Sequence, residues 1–324
     1  MDWSNPSYSR LPEPLFEVPI ADFSLPVILI PEENLPECLR NKGIKIYALL
    51  GFMAPPGSIK RIPAGYMIER AVQTGLVCPG GTLAEPTSGN IGVAMAYCAS
   101  CYDIKVVTIV SDSLPGGKLL PLRHHGAIVV KESEAIRMLG LERHPGSVEL
   151  ARQYAQTTGA VFLNQYGNSW NPQSYERLVA PGLWEGTRGN ASLLVSAIGS
   201  TGTLIGLGRY FKERKPNIEI IATKPYFGQK IDGTRGDDRL WEITHDRRPL
   251  VSIEEPIDEI TARAYSARLN KHGIPAGPSS GAAFGSAIHI LLTKLGGNTL
   301  DSMRGKDGSV GVIIPFADTL YPYA

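Results

Sequence analysis

Residues 192–223 read SLLVSAIGSTGTLIGLGRYFKERKPNIEIIAT, and this stretch decides the fold. Its first part, 192–198, is nearly all apolar, as in a strand covered on both faces. GSTGT (199–203) turns the chain with two glycines and opens an amphipathic helix over 203–213. IEIIAT (218–223) is a second buried strand. Apolar strands alternating with helices predict parallel sheets flanked by helices on both faces. Such sheets place ligands beyond the carboxyl ends of their strands, so the strand-to-helix loops carry the chemistry.

The alternation extends in both directions. Toward the N terminus the pattern predicts strands at 27–30, 45–52, 82–85, 105–110, 127–131 and 160–164. Helices are predicted between them at 63–74, 90–101, 116–125 and 147–158, with another at 174–184. Toward the C terminus, helices at 257–272 and 280–294 precede a last strand at 310–315. The class is α/β, and 324 residues suit two such domains, each a mostly parallel twisted sheet. Residues 1–23 are a proline-rich N-terminal arm.

Composition narrows the function. There are 32 Lys plus Arg against 31 Asp plus Glu, a net charge of +1, which argues against a nucleic-acid binder or a polybasic membrane anchor. No signal sequence opens the chain and no stretch approaches the ~18 apolar residues of a membrane span, so a soluble cytoplasmic protein is expected. Cys98 and Cys101 form a CxxC spacing with no second pair, which reads as buried reduced thiols rather than a zinc or redox site, and no metal is expected. Gly (35) and Pro (25) somewhat exceed the usual ~7% and ~5%, so they should mark specific turns.

Four loops collect those turns. GSTGT, Gly199 to Thr203, combines small residues, hydroxyls and a helix N-terminus, which suits a phosphate cup or a plain tight turn. EPTSGNIG, Glu85 to Gly92, clusters Thr87, Ser88 and Asn90 at a helix start, where they could hold a carboxylate or act as N-caps. Gln165, following strand 160–164, could face the same space. APPGSIK, Ala54 to Lys60, delivers a lysine to a helix N-terminus, where a lowered pKa would allow Schiff-base chemistry; the alternative is a surface lysine. GPSSGAAF, Gly277 to Phe284, again opens a helix and supplies Ser279 and Ser280, either of which could meet a ring nitrogen. A phosphate, a carbonyl and an amino-acid partner together describe pyridoxal 5'-phosphate (PLP).

The order SIK, EPTSGN, GSTGT, PSSGAA resembles the cysteine synthase family, which includes O-acetylserine sulfhydrylase and cystathionine β-synthase. The likeness runs from about Lys45 to Pro315, and Thr201 makes the phosphate loop similar to the GTTGT of the B-isozymes rather than GTGGT. The resemblance implies the tryptophan-synthase-β fold (fold type II), with PLP in the cleft between two domains. The larger, PLP-binding domain would comprise 24–56 and 164–324, and the smaller, mobile, substrate-binding one 57–163. It implies that Lys60 is the catalytic lysine that bonds the cofactor, that Asn90 partners the ring hydroxyl, and that Gly199, Ser200, Thr201, Gly202 and Thr203 cradle the phosphate. Ser279 would bond the pyridine nitrogen, and Thr87, Ser88, Gly89, Ile91 and Gln165 would hold the substrate carboxylate. The implied reaction is β-replacement on O-acetyl- or O-phospho-L-serine through an aminoacrylate, with a thiol, sulfide or amine as nucleophile, in a homodimer that binds small-molecule amino-acid substrates.

Departures from the family pattern suggest a changed substrate. They are Arg61 and Ile62 after the lysine, Ile91 in place of Thr, Phe316–Ala317–Asp318 in the C-terminal turn, and SLPVI (24–28) in place of a GNTPL-type start. In IDGTRGDDRLWE (231–242), Arg235 and Arg239 could meet an anionic nucleophile or leaving group, or pair with Asp237 and Asp238 as a surface turn. His245 and His272 read as ordinary surface or helix-end residues. The alternatives are a serine/threonine dehydratase-like lyase and a non-catalytic PLP-binding regulatory homologue.

Overall fold

The computed structural model describes residues 25–321, so the proline-rich arm of 1–23 lies outside the described residues. In chain order the elements are β1 (Val27–Leu29), β2 (Ile44–Leu50), α1 (Arg61–Gln73), β3 (Thr82–Pro86), α2 (Asn90–Ala99) and β4 (Lys105–Val110). Then come α3 (Gly116–His124), β5 (Ile128–Lys131), α4 (Glu132–Leu139), α5 (Ser147–Thr158), α6 (Trp170–Leu178) and α7 (Ala180–Gly186). The chain continues through β6 (Ala191–Ala197), α8 (Gly202–Arg214), β7 (Glu219–Pro225), β8 (Ile253–Ile257), α9 (Glu259–Lys271), α10 (Pro278–Gly296) and β9 (Val310–Phe316).

These elements form two compact units. One spans 60–164; the described part of the other combines 25–59 with 165–321. The larger unit holds a six-stranded sheet in the order β1-β2-β9-β6-β7-β8. Only β1 runs antiparallel, on its edge. The central strands β9 and β6 are buried along nearly their whole length, as a sheet covered on both faces requires. Helix α10 has apolar residues around much of its circumference and accordingly lies in the core, where Phe284, Ala287 and Leu291 join Leu193, Val195 and Ile314. The smaller unit has a three-stranded parallel sheet, β3-β4-β5, packed through Val107, Ile109, Leu150 and Ala151.

The α/β class and the order of most elements follow the sequence pattern. Four details do not. The strand expected at 160–164 is a single bridge, Val161 beside Leu83, because Asn164 turns left-handed (φ 55°) and ends the extension. The helix expected at 174–184 is two helices meeting at Val179, since Pro181 has no N–H to continue the ladder and its ring crowds the preceding turn. Strand β8 was not foreseen: its sequence IEEPI has two glutamates and a proline, composition tolerated at a sheet edge. Helix α4 was likewise missed, although Gly140 in the left-handed region marks its end.

Candidate active site

In the smaller unit, Lys60 is the residue that leads into α1, half-buried, with its carbonyl accepting the Ala64 N–H at 3.1 Å. The next residue, Arg61, is buried, with its guanidinium 5.8 Å from the Tyr97 ring centre. It also lies beside Cys98, whose thiol burial pushes its pKa up to about 12, against the opposing effect of the Arg61 charge. Cys98 and Cys101 are both buried and unbridged. The departure at Arg61 is thus absorbed into the packing of α1 on α2.

The 85–92 loop follows β3. Thr87 is buried, and its Oγ1 accepts the N–H groups of Gly89 at 2.9 Å and Gly92 at 3.2 Å, satisfying donors at the start of α2. Ser88 is exposed at the loop tip, and Gly89 turns with φ 140°, a conformation L side chains rarely adopt. Asn90, half-buried, opens α2, and Ile91 is buried in the unit. A residue that sequence reasoning missed is Glu85. It is almost wholly buried at the end of β3, and its carboxylate accepts the Asn164 N–H at 3.0 Å, fixing the left-handed turn before Gln165.

In the larger unit the phosphate-loop candidate follows β6. Thr201 sits at φ 66°, ψ −5°, and no side chain caps α8. Its hydroxyl turns back to the Ser200 carbonyl at 2.6 Å, so the free N–H groups of the first helical turn, and the positive end of the helix dipole, keep no protein cap. The loop is braced from α6. Asn171, fully buried, donates through Nδ2 to the Gln165 carbonyl at 2.7 Å and to Ser200 Oγ at 3.0 Å. A Cβ on Gly202 would fall 1.9 Å from Asn171 Oδ1, so only glycine allows this approach.

Ser279 lies in the first turn of α10, buried, and its hydroxyl has no hydrogen-bond partner among the described residues. A buried polar group without a partner is costly and calls for an explanation. A ring nitrogen would supply one. The unusual 316–318 turn is a backbone clasp: Ala317 N–H donates to Ser280 Oγ at 3.1 Å, and the Asp318 carbonyl accepts the Gly277 N–H at 2.9 Å.

Arg235 is held by its own unit. Its guanidinium pairs with buried Glu242 and lies 3.9 Å over the Tyr166 ring centre, and the Arg235 backbone N–H donates to the Ile198 carbonyl at 2.7 Å. The partner is therefore Glu242; Asp237 instead pairs with Lys224 at 2.8 Å. His245 corrects its surface reading. Its ring is half-buried against the Gln165 backbone, its Nε2 has no partner among the described residues, and desolvation lowers its pKa. His272 is indeed a helix end, bonded through Nδ1 to Asn34 Oδ1 at 2.6 Å. Among the described residues no cluster could hold a metal ion, and no helix is long and apolar enough to cross a membrane.

An uncapped helix N-terminus for a phosphate, an unpartnered serine hydroxyl for a ring nitrogen and a lysine at a helix start fit PLP. A mostly parallel α/β fold with these groups defines a PLP-dependent enzyme. The chain is 30% identical over 243 residues to cysteine synthase B of Pseudomonas aeruginosa, spanning 73% of this chain and 77% of that one. It is also 30% identical over 287 residues to a cysteine synthase of Staphylococcus aureus, covering 86% and 91%. The crystal structure of O-acetylserine dependent cystathionine beta-synthase from Helicobacter pylori superposes with a TM-score of 0.74 at 26% identity, over 92% of this chain and 94% of that one. The chain belongs to the pyridoxal-phosphate dependent enzyme family, whose pattern matches residues 25–300, and PLP is its cofactor.

Proposed function

We propose that this enzyme performs β-replacement on an O-activated L-serine, O-acetyl- or O-phospho-L-serine, adding sulfide, a thiol or an amine at Cβ. The product is cysteine or a related β-substituted alanine. The observation that carries the reading is Ser279: a buried, neutral hydroxyl without a partner among the described residues, at the place the family likeness gives to the pyridine nitrogen. A neutral partner leaves the ring a weaker electron sink than a carboxylate would, which favours loss of a β-substituent over racemisation or transamination. When bound, the cofactor supplies an aldehyde for the substrate amine and a ring that accepts electrons from Cα.

The chain's own residues do the rest. Lys60 holds the cofactor through Nζ, then takes and returns the Cα proton. Residues 199–203 hold the phosphate by backbone N–H groups and the α8 dipole, with the hydroxyls of Ser200 and Thr203 beside them. Asn90 meets the ring hydroxyl. Thr87, whose acceptor sites are taken by Gly89 and Gly92, keeps its O–H to donate to the substrate carboxylate, with Ser88, Gly89, the Ile91 backbone and Gln165. Arg235, already neutralised by Glu242, steadies loop 231–242 and Tyr166 beside Gln165. In this proposal the enzyme works as a cytoplasmic homodimer, like the family it resembles.

The burial of Arg61 and Ile91 within their own unit gives these departures a packing role, which weakens the case for a non-catalytic homologue. The test is an absorbance titration of the purified holoenzyme with both activated serines, followed by product analysis with sulfide, thiols and amines. The visible band should shift with one of the serines, and Lys60→Ala should cut turnover by at least about a thousandfold. A yellow protein inert to every activated serine would sink the proposal.

A further inference from the structure

Asn171 on α6 is fully buried, and its amide joins two parts of the candidate site. Nδ2 donates one hydrogen to the Gln165 carbonyl at 2.7 Å and the other to Ser200 Oγ at 3.0 Å. Gln165, Asn171 and Ser200 all belong to the larger unit. A backbone carbonyl can only accept, so Gln165 fixes which end of the amide faces it. The amide oxygen is left beside Gly202, buried and without a partner among the described residues. Turning the amide over would set oxygen against oxygen at Gln165. Ser200 is thereby committed. Its Oγ already accepts from Asn171, so its own proton must go elsewhere, and no acceptor among the described residues takes it. Ser200 is buried beside the uncapped start of α8. A hydroxyl in that state suits a ligand that only accepts, as a phosphate dianion does.

We propose that Asn171 is a positioning residue that commits the Ser200 hydroxyl to donate to the cofactor phosphate and ties the Gln165 peptide to that loop. The inference rests on the reading of 199–203 as the phosphate loop and of Gln165 as a substrate contact. One amide nitrogen serves both ends, so an anion that orders Ser200 also steadies Gln165. Gly202 is part of the device, because only glycine lets the Asn171 amide come this close to the loop.

The test uses the full chain with PLP and with pyridoxal, which lacks the phosphate. Dissociation constants are measured by absorbance for the wild type, Asn171→Ala, Ser200→Ala and the double variant. Asn171→Ala should weaken PLP about tenfold, as loss of a hydrogen bond to a charged group does, and pyridoxal by less than about twofold. A merely structural role would weaken both ligands alike. In the Ser200→Ala background the same substitution should cost PLP less than about threefold, since the hydroxyl it acts through is gone. Ser174→Ala is the control. It removes a buried hydroxyl bonded to the Asn171 backbone carbonyl at 2.6 Å, and should leave the PLP-to-pyridoxal ratio unchanged. Parallel loss of both ligands, no loss of PLP, or full additivity in the double variant overturns the proposal. If thermal unfolding shows the Asn171→Ala apoprotein to be misfolded, the link is read from its other end. Ser200→Ala holoenzyme saturated with PLP should bind the activated serine about threefold more weakly, and no more weakly where Gln165 is already alanine. The same effect in both chains, or none in either, overturns the proposal equally. Failure of the underlying loop reading looks different, because Ser200→Ala alone would then leave the PLP-to-pyridoxal ratio unchanged.

Discussion

Two loops in this protein solve the same geometric problem in opposite ways. Residues 85–92 lead from β3 into α2, and 198–203 lead from β6 into α8. The first puts its positive φ on a glycine, Gly89, and uses Thr87 Oγ1 to satisfy two N–H groups at the helix start. The second puts its positive φ on a β-branched residue, Thr201, and leaves the helix uncapped. Left-handed backbone costs an L residue on the order of 1–2 kcal/mol, and an uncapped helix forgoes roughly 1 kcal/mol. Strain with unsatisfied donors is the signature of a segment shaped for a ligand, whereas the relaxed, capped loop is stable on its own account. The contrast supports the proposal that the second loop holds the cofactor's anion while the first makes smaller, adjustable contacts.

The largest effect should come from Gly202→Ala. Its Cβ would overlap the buried Asn171 side chain, which also braces Ser200 and Gln165, so α8 or α6 must shift. Overpacking of this kind costs about 3 kcal/mol, read as a lower urea midpoint of the larger unit, together with loss of bound PLP. Gly89→Ala meets nothing closer than a Lys118 carbon at 3.9 Å, so it carries only the backbone strain of φ 140°. That should cost about 1–2 kcal/mol in the smaller unit and leave PLP in place. Equal PLP loss from both variants would break the contrast between the loops.

Thr87→Val should come next. It preserves shape but removes the acceptor of two buried N–H groups, at a cost of about 2 kcal/mol to the smaller unit. Thr87→Ser should recover most of it. If the first loop is a self-sufficient cap beside the substrate, KM for the activated serine rises while PLP affinity stays within about twofold. A large drop in PLP affinity would show that both loops share the anion.

How much of this is legible in the sequence follows the distance between partners. The β6–loop–α8–β7 run announced itself because strand pattern, glycines and helix lie within one continuous stretch. The bend at Val179 went unread in the 174–184 helix, although Pro181 stood in the sequence as its cause. Strand β8 was not, because its pairing with β7 is fixed by a partner some thirty residues away (Thr223 beside Glu255), and its own composition argues against a strand. The site divides the same way. Lys60, Thr87, Ser279 and the 199–203 loop carry local motifs. Glu85 and Asn171 carry none: they were hidden by partners 79 and 29 residues off. Arg235 stood open in the sequence between an anionic substrate and a pairing with Asp237 or Asp238; the carboxylate that pairs with it is the buried Glu242, seven residues on.

Thr201→Gly tests the comparison most finely, and its effect should be the smallest. Glycine at φ 66° removes the strain of a β-branched side chain, a gain of about 1–2 kcal/mol, against which stand roughly 0.5–1 kcal/mol of added chain entropy and the lost hydroxyl bond to the Ser200 carbonyl. The net change in the apoprotein should be a stabilisation of well under about 1 kcal/mol, seen as a small rise in the urea midpoint of the larger unit. PLP binding should move the other way. A loop no longer stiffened by Thr201 pays more entropy to close on phosphate, so PLP or inorganic phosphate should bind about two- to threefold more weakly. Stability and ligand affinity changing in opposite directions is the behaviour of a loop whose strain is maintained for its ligand. If Thr201→Gly instead lowered both together, the threonine would be holding the fold, and the distinction between the two loops would reduce to local packing.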